Sequence, residues 1–333
     1  MTMTTTAIAP QRDVTFDIMK GIGILLVITA HFFSWNHPIL GRSITSFHMP
    51  MFFMVAGYFS KSFTSWSDTK FRIKKYASRL LPPALFTQVF LIIWACLMAA
   101  FNKGKWSTVI QLSLSLVWAD PHGPITQWGQ LYLGVVWFLI ALFIAKSILL
   151  IISRLKTWAI PLSFVFSISA IVLYKWFPYS IWCISLGFTA LPFVTIGWWF
   201  KTHTPSRIFQ VICILCWIIA IQCSRLDMYG FIWKCYPLDV LGAIGGTFCL
   251  YYLCKLINNY CNIFAKGFSV LGTISLAIMC FHDLEINCHL GNHVMALFPF
   301  TLPVWGKFVF RYLLTIAMAA VAVNTPVLKR VFV

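Results

Sequence analysis

Acidic residues are scarce in this chain. Its 333 residues hold 8 Asp and Glu against 25 Lys and Arg, and only ten per cent of them are charged. Soluble domains carry about a quarter charged residues, so an ordinary water-soluble domain is excluded. The short alternating strands that a membrane barrel needs are absent too. No long polar linker divides the chain, and residues 1–333 read as one integral-membrane domain. No internal repeat is visible, which counts against the repeat-built transporters. The first twelve residues are polar and lack an apolar core, so no cleavable signal peptide is expected. Residues 1–15 then form a short cytoplasmic tail, and the first helix is its own insertion signal.

What is present is apolar. Sixty per cent of the chain is hydrophobic, in runs close to the roughly 20 residues that a bilayer requires. The expected fold is an all-α polytopic membrane protein of about ten transmembrane helices. They lie near 16–35, 44–62, 80–101, 130–152, 158–177, 180–200, 207–224, 236–256, 267–286 and 303–323. Pro38, Pro82–Pro83, Pro161, Pro178, Pro205, Pro237 and Pro303 punctuate the gaps between them. The formal charge of +17 does not point to nucleic acid, because the cations sit in short gaps between apolar runs, as membrane topology signals do. Seventeen of the twenty-five, including Lys61, Lys70, Arg72, Lys74, Lys75 and Arg79, fall on one side. The positive-inside rule makes that side cytoplasmic, with both termini on it. The eleven cysteines lie mostly within apolar runs and read as small buried hydrophobes, not as a disulfide framework or a metal site.

Polar groups inside such runs carry the functional signal. In DIMKGIGILLVITAH, Asp17, Lys20 and His31 interrupt an apolar helix. At 100° per residue all three share one face, with Lys20 and His31 about 16 Å apart along the axis. Lys20 either snorkels to the cytoplasmic surface or serves a site. Asp17 stands about 21 Å from His31, too far for contact, and instead positions Lys20, Arg12 or a ligand. Ionisable groups at membrane depth face a bundle interior or a watery cavity and mark function. His282 in LGTISLAIMCFH and Arg311 fall at a depth similar to His31, with His48 at the rim. This is the pattern of a reaction centre reached from outside. Asp283 and Glu285 either orient one of these histidines or sit at a wet helix end, as His48 also does in the simpler reading. The gap at 102–129 is expected outside, either as a lid-like re-entrant segment or as an amphipathic surface helix.

The stretch RDVTFDIMKGIGILLVITAH resembles the opening of membrane acyltransferase family 3, whose members O-acylate sugars and glycans. The family's hallmark is a basic residue, ten residues, then histidine, here Lys20 and His31. Arg12 and Asp17 match the arginine and aspartate ahead of it. FHMPMFFMVAGYF is similar to the second-helix motif and brings His48. SRLLPP brings Arg79 and Pro82, WFLIALF brings Trp137, and LGTISLAIMCFH ends on His282. Lysine stands where arginine is frequent, and no appended esterase-like domain is expected. The general likeness is to the smaller fucose O-acetylase-like members.

The resemblance implies an acyl-CoA-dependent O-acyltransferase, acetyl-CoA being the donor and a sugar or glycan hydroxyl the acceptor. It implies a multi-pass protein of a bacterial inner membrane, with no metal. His31 is the expected general base, since neutral histidine suits proton removal from a hydroxyl near neutral pH. Lys20, Asp17 and His282 complete the catalytic set. Arg12, Arg79, Lys74 and Lys75 are expected to meet the coenzyme phosphates, although the 61–79 segment is also the strongest topology signal. His48, Trp137 and Arg311 are expected on the sugar side. The rival readings are a flippase or transporter for a lipid-linked sugar, and a non-catalytic subunit of a glycan-assembly complex.

Overall fold

The computed structural model describes residues 13–33, 38–298 and 302–332, so Arg12 lies outside the described residues. The chain opens with α1 (Val14–Phe33), α2 (Pro38–Thr45) and α3 (His48–Tyr58). The expected span at 44–62 is therefore broken at residues 46–47, and its main helix has only 11 residues.

The 35-residue α4 (Trp66–Ala100) starts well before the expected span at 80. Ser65 Oγ caps it by accepting from the Asp68 amide at 3.1 Å, and Arg72 Nε donates to Asp68 Oδ2 at 2.6 Å one turn on. With no Gly or Pro between 66 and 81, the basic segment expected as a loop is helical. Pro82 and Pro83 lie inside this helix, not in a gap. They leave the Ser78 and Arg79 carbonyls without their usual helical donors. At 1.5 Å per residue α4 is about 52 Å long, against about 30 Å of hydrocarbon. Its first turns therefore extend past the apolar zone.

The gap at 102–129 holds a helix and a small hairpin. The partly exposed α5 (Trp106–Trp118) comes first, followed by a small hairpin of β1 (Ile125–Thr126) and β2 (Gly129–Gln130). Then α6 (Trp137–Ile152) leads through a 3₁₀ turn at Ser153–Trp158 into α7 (Ala159–Trp176). Lys156 breaks the helical path with φ 51° and ψ −115°. Trp137 at the start of α6 and Tyr174 near the end of α7 flank the same two rings, Tyr229 and His122, so α6 and α7 form a hairpin.

Next come α8 (Ile184–Phe200), α9 (Arg207–Cys223), the hairpin β3 (Leu226–Asp227) and β4 (Ile232–Trp233), and α10 (Tyr236–Tyr260). Cys213 and Cys216 on α9, spaced C-x-x-C, remain free thiols. The expected ninth span is a broken pair, α11 (Asn262–Thr273) and α12 (Ser275–Cys288), bent by 69°. The chain ends with α13 (Leu290–Met295), α14 (Val304–Asn324) and α15 (Pro326–Phe332).

Small residues let the backbones close. Gly21 of α1 faces the Phe268 carbonyl and Gly272 of α11 faces the Asp17 carbonyl, with no room for a Cβ at either. Close helix packing in apolar surroundings uses small residues in this way.

Among the described residues, five helical stretches are long and apolar enough to cross a membrane, or six if the bent pair is one span. The two-residue hairpins are the only strands among them, which leaves no barrel. The expected ten is not reached by length. At 17 residues, α8 and α9 are each about 25 Å long.

Candidate active site

Helix α1 delivers its polar face in two parts, as the helical spacing requires. At one end Lys20 Nζ pairs with Asp17 Oδ1 at 2.6 Å, with the carboxylate side chain 6% and the lysine 28% exposed. At the other end His31 is exposed. Its ring lies 5.3 Å from the ring of His282, centroid to centroid, at an interplanar angle of 55°.

His282 comes from the middle of α12 and is buried. Neither of its ring nitrogens has a hydrogen-bond partner among the described residues. Buried polar groups are nearly always paired, and an orphan costs about 1–3 kcal/mol. Two imidazoles side by side, one open and one with both nitrogens free, make a place that a hydroxyl-bearing substrate can complete.

His48 adds a third ring. It is buried at the start of α3, and its Nδ1–H donates to the Ile44 carbonyl at 2.9 Å. A carbonyl cannot donate, so the proton is on Nδ1. The neutral ring then keeps its lone pair on Nε2. His48 lies within electrostatic reach of His31, as does Asp227.

The two acids of α12 do not orient these histidines. Asp283 Oδ1 accepts from the Val135 amide at 2.7 Å and from Asn287 Nδ2 at 3.1 Å. Its carboxylate sits directly against Gly134, where any Cβ would collide. Asp283 is thus a strap that holds the segment before α6 down beside the histidine pair. Glu285, the only glutamate in the chain, binds Arg311 in a fork, Nε to Oε1 at 2.6 Å and Nη2 to Oε2 at 2.9 Å. Arg311 is therefore a strut between α12 and α14, tied up by Glu285. The adjacent residue of α14, Tyr312, donates its hydroxyl to the Leu25 carbonyl at 2.6 Å, which pins α14 to α1.

Trp137 is 3% exposed. It backs the ring of Tyr229 at 6.2 Å and does not line an open cleft. Arg79, Lys74 and Lys75 are exposed on α4. They do not share one face: Lys74 is about 140° around the helix from Arg79, whereas Lys75 is about 40° away.

Sequence reading missed the residues of two turns, those before β1 and between β3 and β4. ADPHG carries Asp120 and His122, and LDMYG carries Asp227 and Tyr229. The His122 ring lies 5.5 Å from Tyr229 and 5.9 Å from Tyr174. Asp120 Oδ1 accepts the His122 amide at 2.9 Å and Asp227 Oδ1 accepts the Gly230 amide at 2.9 Å, so each acid braces its own turn. The signal was an acid followed within three residues by Gly, with an aromatic or imidazole ring between. Burial, then nearby Asp283, pushes the Tyr229 phenol up to about 12. It stays a neutral hydrogen-bond donor. Among the described residues no cluster of three His, Cys, Asp or Glu side chains is placed to hold a metal ion.

His122 should make its turn sensitive to pH. Burial pulls it below the usual histidine value, against the upward pull of Asp120 and Asp227. A histidine held low binds fewer protons in the closed turn than in the open one. Its stabilising contribution is present above about pH 6.5 and lost as pH falls through the folded value. Asp120, raised by burial, acts in the opposite sense at lower pH. Amide exchange of residues 119–134 should therefore quicken between about pH 7 and pH 5, after correction for intrinsic rates. His122→Gln should flatten that trend, and a wild-type trend already flat would refute it.

A helical bundle with long apolar spans and an imidazole pair at the end of its first helix defines a class, the multi-pass helical membrane proteins. The chain belongs to the family Acyl_transf_3, described as an acyltransferase domain, whose pattern matches residues 13–327. It is 27% identical over 235 residues to Nodulation protein NolL of Sinorhizobium fredii, covering 65% of this chain and 57% of the relative. It is 29% identical over 215 residues to Nodulation protein NolL of Mesorhizobium japonicum, covering 56% of this chain and 50% of that relative. The chain thus spans about half the length of these relatives. No solved structure matches it.

Proposed function

We propose that the chain is a membrane-embedded O-acyltransferase. It moves an acyl group, acetyl by family likeness, from acyl-CoA to a sugar hydroxyl of a surface or lipid-linked glycan. The observation that carries this reading is the His31–His282 pair, with both nitrogens of the buried ring unpartnered. His31 takes the proton of the acceptor hydroxyl. The oxygen forms a bond to the thioester carbonyl carbon, and the carbon–sulfur bond breaks. Coenzyme A leaves as thiolate and recovers a proton. Nε2 of His48 is an acceptor for a neighbouring sugar hydroxyl, and the Tyr229 phenol is a donor to the same substrate. Asp17 holds Lys20 toward the donor, whose phosphates meet Arg79 and Lys75.

The chain is one domain with both termini in the cytoplasm, in the inner membrane of a bacterium. Ten crossings follow if α8, α9, the broken α2–α3 segment and the bent α11–α12 pair each count as a span and the α6–α7 hairpin counts as two. The asymmetry of basic residues supports that orientation, and the rhizobial relatives support the location.

The test is purified protein in liposomes with radiolabelled acetyl-CoA and a chemically de-O-acetylated surface polysaccharide. Base-labile label should enter the glycan as free CoA thiol appears in equal amount. If neither thiol nor label appears, the proposal falls and a transporter or non-catalytic subunit takes its place.

A further inference from the structure

The apolar helix α6 contains a single charge. Lys146 interrupts the run WFLIALFIAKSILLII between Trp137 and Ile152. It is half-buried, and its Nζ sits 4.5 Å over the centroid of the Tyr76 ring on α4. The Arg79 guanidinium, less than a turn beyond Tyr76, lies within electrostatic reach of the same ammonium. Neither cation pairs with a carboxylate among the described residues. The nearby acid, Asp68, is committed to Arg72 and Thr64 at 2.6 Å each.

Two like charges without a counter-ion at the edge of an apolar bundle are unfavourable. Lys146 loses part of its hydration, and it and the exposed Arg79 repel each other. A Tyr face recovers only about 0.5–2 kcal/mol of cation–π attraction. Groups arranged at such cost mark function by default. An anion between them would turn the repulsion into two attractions, and phosphate suits both a point-charge ammonium and a guanidinium fork.

The level of the pair matters as well. Lys146 is nine residues from Trp137, about 14 Å along α6. Val135, just before that helix, touches Asp283, the neighbour of His282. A ligand whose phosphates rest at Lys146 would therefore need an extended arm of about that length to bring a reactive group to the histidines. Coenzyme A has that layout, its phosphates separated from the thioester by a long pantetheine arm.

We propose that Lys146 and Arg79, set against the Tyr76 ring, form a binding site for a phosphate-bearing ligand. Its place suits the phosphates of the acyl-CoA donor, an assignment that rests on the acyltransferase reading. The shared chemistry is also that of an anionic lipid headgroup, so the test has two arms.

In the first arm, CoA binding to detergent-purified protein is measured by titration calorimetry. Lys146→Met should weaken binding about tenfold or more, the typical effect of losing one charge-assisted contact. Lys146→Arg should restore most of it. Lys70→Met, on the opposite face of α4, should leave it unchanged. Equal melting temperatures for these proteins would show that Lys146→Met folds. In the second arm, native mass spectrometry counts phosphatidylglycerol molecules retained from mixed vesicles by wild type and Lys146→Met.

Weakened CoA binding in Lys146→Met supports the site with the donor as its ligand. Absence of CoA binding in wild type, with lipid retention that needs Lys146, supports the site and removes the donor assignment. CoA binding and lipid retention both indifferent to Lys146 overturn the inference and leave the acyltransferase reading standing. A wild type that takes up neither ligand also overturns it.

Discussion

His31→Ala is expected to lower acyl transfer by about 10²–10⁴-fold, the usual cost of a lost general base. The protein should still insert and accumulate at the normal level. His31 is exposed at the end of α1, so its removal opens no core cavity. The loss should fall on kcat, with acyl-CoA binding nearly intact, because the base acts on the acceptor proton and not on the donor phosphates. Glycan acetylation measured by NMR of the polysaccharide gives the overall outcome. Titration of acetyl-CoA onto the purified variant gives the binding. Wild-type acetylation in the variant would remove His31 from the mechanism. Lost donor binding with a folded protein would mean that the donor reaches the far end of α1 directly.

Arg311→Ala is expected to damage the fold more than the chemistry. It would leave Glu285, 2% exposed, as a buried carboxylate without its forked partner. Breaking a buried ion pair on one side typically costs about 3–5 kcal/mol. The 30% exposure of the Arg311 side chain places the cost toward the lower end, about 3 kcal/mol. The double variant Glu285→Gln with Arg311→Gln removes both charges and should recover much of that stability. Thermal melts in detergent read this directly. If Arg311→Ala melts like wild type yet fails to transfer acetyl, Arg311 is a substrate contact and the strut account is wrong. If the double variant is stable and active, the arginine serves only to join α12 to α14.

Much of the candidate site's geometry was legible because a helix converts spacing into direction. Lys20 and His31, eleven residues apart, had to share a face whatever surrounded them. An apolar run could not hold His282 without a reason. Both arguments need only the helical repeat and the low polarity of the surroundings. Other elements were misread where a local signal gave way to packing. Pro82 and Pro83 read as a helix boundary, but the capped start at Ser65 carries α4 through them. The expected straight span at 267–286 bends by 69°. The counted depth of His282, about 22 Å from Gly267, therefore does not describe its position, and His282 lies about 10 Å beyond the bend along α12.

The sequence alone determined that this is a helical membrane protein whose first helix carries its polar groups on one face, and it singled out the ionisable groups at depth as the candidate site. Those conclusions follow from composition and period, which are properties of consecutive residues. Tertiary structure alone decided which charges are spent on each other and which stay available. Glu285 takes Arg311, and Asp283 takes the backbone of Val135. His282 is left with His31 beside it and both nitrogens free, and Lys146 is left with Tyr76 and Arg79. The physical reason is that pairing energies depend on distances of a few ångströms between segments far apart in the chain. No local pattern encodes those distances until the helices have packed.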